Sequence, residues 1–112
     1  ITGAAVAVHD AFASAHAAGL ISGNPVRRLV AAVSVGLVDV VPRLDLDYEE
    51  DVRAGVDMNV VMADAARFVE VQGTGEHGTF DRAQLDALLD LASSGIRELD
   101  AAQRVVLGLP PR

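Results

Sequence analysis

The chain has 112 residues, and its nine basic and sixteen acidic side chains give a formal net charge of −7 at pH 7. This length suits one domain, and the 51% hydrophobic content excludes a disordered polyelectrolyte, which would lack the apolar surface that offsets conformational entropy. The acidic balance excludes a nucleic-acid binder that relies on a basic patch of its own. The absence of cysteine excludes a disulfide scaffold, thiolate metal ligation and cysteine catalysis.

The lengths of the apolar runs and the first residues of the chain each lead to an expectation. No apolar run reaches the roughly 18 residues that a membrane span needs, so we expect no membrane partner. The chain begins Ile1-Thr2 without an initiator methionine, so we expect it to be a piece of a longer protein.

The first quarter of the chain predicts a helix, and the next run predicts a strand. Residues 2–18 are rich in alanine, with apolar side chains at helical spacing, and Gly19 lies where the helix should end. The run 29–38 is continuous, apolar and valine-rich, and it is too short for most helices. It therefore predicts a strand buried on both faces.

Three further strands are predicted. Residues 43–47 alternate between apolar and charged side chains, which predicts a half-buried strand with its two leucines inward and Pro42 at its start or on a sheet edge. The apolar runs 58–62 and 68–71 predict a strand pair, joined by a hairpin connection at 64–67.

The last third of the chain predicts a long helix. Asp81 followed by Gln84 has capping-box spacing. One apolar face follows, made by Leu85, Leu88, Leu89, Ala92, Ile96 and Leu99. Gly95 lies within this helix and predicts a kink. The sum is an α+β domain, helix–four strands–helix, over residues 1–109, with Pro110-Pro111 ending the ordered structure and residues 110–112 as a tail.

Acidic residues concentrate between Asp45 and Asp57. This segment holds six of the sixteen carboxylates, with Arg53 as its only cation. A solvated turn is the plain interpretation. The alternative is a metal site, since Asp51 and Asp57 bracket a connecting segment and their oxygens suit a hard divalent cation, magnesium above all.

Other polar residues have weaker signals. His9 and His16 are seven residues apart on one helix face, and we expect surface or interface packing for both. His77 lies in the glycine-bearing loop 73–78, where flexibility is the simplest explanation. Arg27-Arg28 is the only adjacent basic pair, and it either meets a phosphate or flanks a helix at the surface.

Two stretches resemble a known family. DLDYEEDVRAGVDMNVVM, residues 45–62, followed by FVEVQGTGEHGTF, residues 68–80, resembles the C-terminal half of the ribonuclease PH family of phosphorolytic exoribonucleases. The segments ITGAAVAVHDAF, residues 1–12, and VAAVSVGLVD, residues 30–39, resemble the same family in the same order. The resemblance spans nearly all of residues 1–107.

The resemblance implies a phosphate-dependent 3′-to-5′ exoribonuclease, a tRNA nucleotidyltransferase that trims the 3′ ends of transfer-RNA precursors and releases nucleoside diphosphates. The family's paired active-site aspartates fall on Asp51 and Asp57, as catalytic residues and as ligands of Mg²⁺ or Mn²⁺. Inorganic phosphate is the implied co-substrate, and its Gly-Thr-Arg loop is expected upstream of Ile1. Residues 1–112 alone are therefore expected to be inactive.

The resemblance also implies partners and leaves alternatives. It implies RNA as substrate, a homo-oligomer, specifically a hexamer built as a trimer of dimers, and a role in RNA processing in the cytoplasm. Ala66 stands where relatives often carry glycine, and we expect it to weaken the hairpin turn. The alternatives are a non-catalytic ring subunit of an exosome-like assembly and a plain α+β domain with a solvated acidic turn. The presence of both Asp51 and Asp57 argues against the ring subunit.

Overall fold

The computed structural model describes all residues from Ile1 to Arg112 as three helices and one four-stranded sheet. In chain order the elements are α1 (Thr2–Ala17), β1 (Val30–Val38), β2 (Val41–Leu44), α2 (Tyr48–Arg53), β3 (Val56–Ala63), β4 (Arg67–Thr74) and α3 (Arg82–Leu107). The predicted α+β order of helix, four strands and helix is confirmed, with the short helix α2 as an addition.

The sheet is antiparallel throughout, in the order β2-β1-β3-β4. The central strands β1 and β3 pair over eight positions, from Val30 opposite Ala63 to Leu37 opposite Val56. Pro42 lies opposite Leu37 on the edge strand β2. An edge strand has a neighbour on one side only, so it tolerates a residue without a backbone N–H donor. The expectation that Pro42 occupies an edge is confirmed.

One face of the sheet packs on α3 and forms the core. From the sheet, Val35, Met58 and Val60 point to this face, and each is fully buried. From the helix, Leu88, Ala92 and Ile96 meet them; these three lie on the face that the apolar spacing predicted. Helix α1 has no buried residue and stands at the margin of this core.

The prediction that β1 is buried on both faces is wrong for its first half. Val35 through Val38 are buried, but Ala32, Val33 and Ser34 are only half-buried. Helices α1 and α3 pack on one side of the sheet, so the opposite side keeps solvent contact along this part of the strand. A continuous apolar run does not by itself tell how many layers cover it.

The strand predicted over 43–47 is present, but it lies earlier in the chain, over Val41–Leu44. Strand β2 ends at Leu44, and Asp45 adopts a positive φ of 58°. Asp47 then caps α2: its carboxylate accepts a hydrogen bond from Glu50 N at 2.8 Å, and the Glu50 carboxylate accepts one from Asp47 N at 3.3 Å. This reciprocal capping box outweighs an alternation of only five residues.

Helix α3 continues through Gly95 as one element, so the glycine does not end it. A Cβ at Gly95 would lie 2.8 Å from Leu44 Cδ1 and 2.9 Å from Leu44 Cδ2. The glycine therefore makes room for the edge strand to pack its leucine against the helix.

The predicted hairpin between β3 and β4 is confirmed, but its strained residue differs from the expected one. The turn is closed by a hydrogen bond from Ala66 N to Ala63 O at 3.2 Å. Asp64 and Ala65 between them have φ values of 53° and 54°, as a type I′ turn requires. The position that favours glycine is therefore Ala65 rather than Ala66.

Candidate active site

Asp57 is the second residue of β3, near one end of the sheet. It stands opposite Gly36 on β1 and opposite Thr74 on β4. Its neighbours Val56 and Met58 point into the core, so the alternation of the strand directs the Asp57 side chain to the face that α3 does not cover. This places a carboxylate on a rigid central strand.

The segment that leads to α2 folds over this corner of the sheet. A Cβ at Gly36 would lie 2.8 Å from Leu46 Cδ1, so Leu46 covers the strand position beside Asp57. The chain returns to β3 through Gly55, whose N–H donates to Leu37 O at 2.9 Å. Helix α2 is held between these two contacts, and Asp51 lies on it.

The negative charge of Asp51 contributes to a raised pKa of Asp57. The pKa of Asp57 is raised above its ordinary value, first by partial burial, then by the negative charges of Asp51 and Glu76. A hydrogen bond from the backbone of Met58 opposes the shift without cancelling it. Asp57 is therefore within electrostatic reach of Asp51, and Asp57 is half-buried whereas Asp51 is exposed.

Glu76 is a third acidic neighbour that the sequence reasoning missed. It follows β4 by two residues, and Thr74 at the end of β4 lies opposite Asp57. The loop is tied down beside the site by a hydrogen bond from His77 N to Gly55 O at 3.1 Å. Only the strand register, which no local pattern reveals, brings Glu76 near Asp57.

The donor set suits a divalent cation that completes its shell with other ligands. No group of three or more histidine or acidic side chains in the chain is placed to hold a metal ion. Magnesium in proteins is usually bound through one or two carboxylates, while waters and substrate phosphates fill the remaining positions. Asp51 and Asp57 fit that pattern.

A polar row continues from Asp57 across the same face of the sheet. Ser34, Asn59 and Gln72 lie side by side on β1, β3 and β4, in register with one another. They line an open cavity of about 420 Å³, together with residues that include Asp45 and Glu70. No sequence pattern marks these residues, because each of them occurs singly within a strand.

The other predicted polar residues do not join this site. His16 Nδ1 lies 3.2 Å from Ile21 O at the end of α1. His9 and Arg27-Arg28 line a cleft with Asp64, at the far end of β3 from Asp57. None of the three helices has the length and hydropathy to cross a membrane.

Comparison with known families and curated proteins identifies similar chains. Residues 28–95 match the family model described as the 3′ exoribonuclease family, domain 2. A ribonuclease PH from Corynebacterium efficiens is 58% identical over 109 residues, which are 97% of this chain and 44% of that protein. A ribonuclease PH from Corynebacterium diphtheriae is 57% identical over 107 residues, again covering 44% of its length. The chain thus spans less than half the length of these relatives.

Solved structures show the same fold at low sequence identity. An archaeal exosome core superposes with a TM-score of 0.63 at 23% identity, over 72% of this chain and 32% of that one. An Archaeoglobus fulgidus exosome with RNA bound to its active site gives a TM-score of 0.60 at 24% identity, over 76% and 34%. These likenesses establish the architecture.

Proposed function

Because the chain belongs to the 3′ exoribonuclease family, we propose that it supplies the carboxylate half of a phosphorolytic exoribonuclease active site. In the whole protein an oxygen of inorganic phosphate attacks the terminal internucleotide phosphorus of RNA. The bond from phosphorus to the 3′ oxygen of the preceding nucleotide breaks, that oxygen takes a proton, and a nucleoside diphosphate leaves. The proposed substrate is the 3′ end of transfer-RNA precursors.

The observation that carries this proposal is the position of Asp57, fixed between β1 and β4 on a central strand, where the charges of Asp51 and Glu76 help to raise its pKa. A carboxyl group that holds its proton closer to neutral pH is a better general acid. We assign to Asp57 the proton that the leaving 3′ oxygen takes. The negative charges of Asp51 and Glu76 help to keep this proton on Asp57, because they raise its pKa.

Asp51 and Asp57 are also the residues that would hold Mg²⁺ or Mn²⁺. When bound, such an ion would neutralise the charge that develops on the transferring phosphoryl group. Asp51 is exposed on a short helix and Asp57 is held on the sheet, so one ligand can adjust while the other stays in place.

The same proposal assigns the remaining functions to other parts of the whole protein. RNA affinity comes mainly from contacts to phosphate, and a chain of charge −7 supplies few of them. Residues 1–112 alone are therefore expected to release no nucleoside diphosphate.

A homo-oligomer, specifically a hexamer, and a cytoplasmic location complete the proposal. The exposed apolar side chains of Val8 and Phe12 on α1 and of Phe68 on β4 support association.

A non-catalytic ring subunit of an exosome-like assembly is the competing function. Such a scaffold needs no carboxylate pair, whereas Asp57 is held beside Asp51 with a perturbed pKa. This arrangement favours the catalytic role.

The test uses the whole protein that contains this chain, with inorganic phosphate, Mg²⁺ and a short RNA. Release of nucleoside diphosphate is measured for Asp57→Asn and Asp51→Asn. We expect losses of at least about 100-fold, the scale on which a positioned acid contributes. Glu49→Gln, an exposed carboxylate of the same helix, is the matched control and should keep its activity. Near-normal turnover of both aspartate variants at saturating Mg²⁺ would refute the assignment.

A further inference from the structure

A second cleft lies between α1, the segment before β1 and the end of α3. It encloses a cavity of about 290 Å³. One of its lining residues, Asp64, directly follows β3 and comes seven residues after Asp57. At about 3.3 Å per strand residue, the two carboxylates are roughly 20 Å apart. The cleft is therefore separate from the Asp51–Asp57 pair.

The cleft has the opposite charge to the chain as a whole. Four of the nine arginines line it: Arg27, Arg28, Arg104 and Arg112. Asp64 is the only acidic residue among the lining residues. In a chain of net charge −7, this clustering of cations needs a reason.

Only two of these four arginines form ion pairs with carboxylates. Arg28 Nε lies 3.7 Å from Asp64 Oδ2, and Arg112 Nη2 lies 3.3 Å from Asp64 Oδ1. Arg112 also pairs with Asp100, a buried residue of α3. Both acidic groups are therefore used by Arg28 and Arg112.

The other two arginines keep unused donors. Arg27 is exposed and forms neither an ion pair nor a side-chain hydrogen bond. Arg104 donates through Nε to the carbonyl oxygen of Pro110, which leaves its two terminal amino groups unpaired. A guanidinium with free terminal donors matches the geometry of a phosphate group.

A histidine in the lining is also incompletely bonded. His9 contributes to the cleft, and its Nδ1 is shielded from solvent without a hydrogen-bond partner. Only one other side-chain atom in the chain shares that condition, Gln103 Oε1. Unsatisfied buried polar atoms are uncommon, and contact with an ion or a water molecule is one of their recognised explanations.

We propose that this cleft binds a phosphate group, carried either by free inorganic phosphate or by the backbone of RNA. Arg27 and Arg104 supply the free donors, while Arg28 and Arg112 offset the negative charges of Asp64 and Asp100. Asp64 orders those two arginines through its ion pairs. The proposal does not depend on the catalytic role of Asp57.

The test follows arginine Nε–H signals of the full chain by nuclear magnetic resonance, at low ionic strength with a chelator present. Inorganic phosphate is titrated in one arm and a short single-stranded RNA in the other. Saturable shifts are expected for Arg27, Arg28 and Arg104, with none for Arg43 or Arg53. This readout needs no variant, so a folding defect cannot obscure it.

Variants then measure the contribution of the free donors. Arg27→Ala should weaken binding by about tenfold, the usual effect of losing a charge-assisted hydrogen bond. Arg53→Ala removes the same charge elsewhere and should change affinity much less. Glu49→Gln removes one negative charge outside the cleft and should leave binding unchanged, which separates binding in the cleft from an effect of net charge.

Each outcome decides the proposal. Shifts with phosphate alone identify a free anion as the ligand, and shifts with RNA alone identify its backbone; both results support a phosphate cleft. An absence of saturable shifts with either probe would overturn the proposal. Equal weakening by Arg27→Ala and Arg53→Ala would also overturn it, because that result indicates general attraction by net charge.

Discussion

Arg112 binds both carboxylate oxygens of Asp100, with Nε 2.7 Å from Oδ2 and Nη2 2.9 Å from Oδ1. Asp100 lies in α3 and is only 4% exposed. Hydrogen bonding to Asp100 raises the pKa of the Arg112 guanidinium above its already high value. Residues 110–112, expected from the sequence to be a tail without order, are therefore held against the domain by their last side chain.

The first prediction concerns this pair. Arg112→Ala leaves the Asp100 carboxylate buried without its cation, so the chain should lose stability. We expect about 1–2 kcal/mol, less than for a fully buried pair because Arg112 keeps partial solvent contact. Urea denaturation measures the change. Arg82→Ala breaks an exposed ion pair with Asp86 and should have almost no effect. Equal stabilities of the two variants would contradict the prediction.

The second prediction is a pH dependence that arises from Asp57. Its pKa is raised in the folded chain, so the folded state holds the proton more tightly than the unfolded state does. The stabilising contribution is complete below the ordinary aspartate pKa, and it is lost as the pH rises through the raised value. Asp57→Asn carries no charge and should therefore be more stable than the native chain at neutral pH.

Denaturation at a series of pH values checks this. The advantage of Asp57→Asn should disappear in acid, where the native carboxyl is protonated in both states. Asp10→Asn, on the exposed side of α1, controls for the loss of one negative charge. Identical pH profiles for Asp57→Asn and Asp10→Asn would argue against a specific role of burial and of Asp51.

The third prediction concerns Gly95. Glycine-to-alanine changes usually stabilise a helix, by about 1 kcal/mol. Here the added Cβ meets the side chain of Leu44, so we expect Gly95→Ala to destabilise the chain by about 1–3 kcal/mol. Combining it with Leu44→Ala should relieve the clash. A double variant whose loss equals the sum of the two single losses would show that the residues are not coupled.

The fourth prediction concerns the turn between β1 and β2. Val40 has a φ of 58° and is 80% exposed, so its branched side chain strains the backbone and packs little. Val40→Gly should raise the unfolding free energy by about 1 kcal/mol. Val41→Gly removes the same side chain from the adjoining strand and should destabilise instead. A destabilised Val40→Gly chain would show that the side chain matters more than the backbone strain.

Local periodicity was sufficient to predict most elements. The apolar spacing of α3 survives in the structure because a helix repeats its contacts every few residues, so Leu88, Ala92 and Ile96 meet the sheet as expected. Capping-box spacing also marked the start of α3 at Asp81. Asp47 and Glu50 have the same capping-box spacing at the start of α2, but the alternation over 43–47 favoured a strand there.

Residues close together in the chain were enough to indicate the family resemblance, most of the helices and strands, and Asp51 and Asp57 as candidate site residues. Tertiary structure alone decided that Glu76 approaches Asp57 and that Leu44 occupies the space beside Gly95. It also decided that arginines from the two ends of the chain line one cleft. The physical reason is that strand register and helix packing join residues distant in sequence, and no local spacing encodes which distant residues will meet.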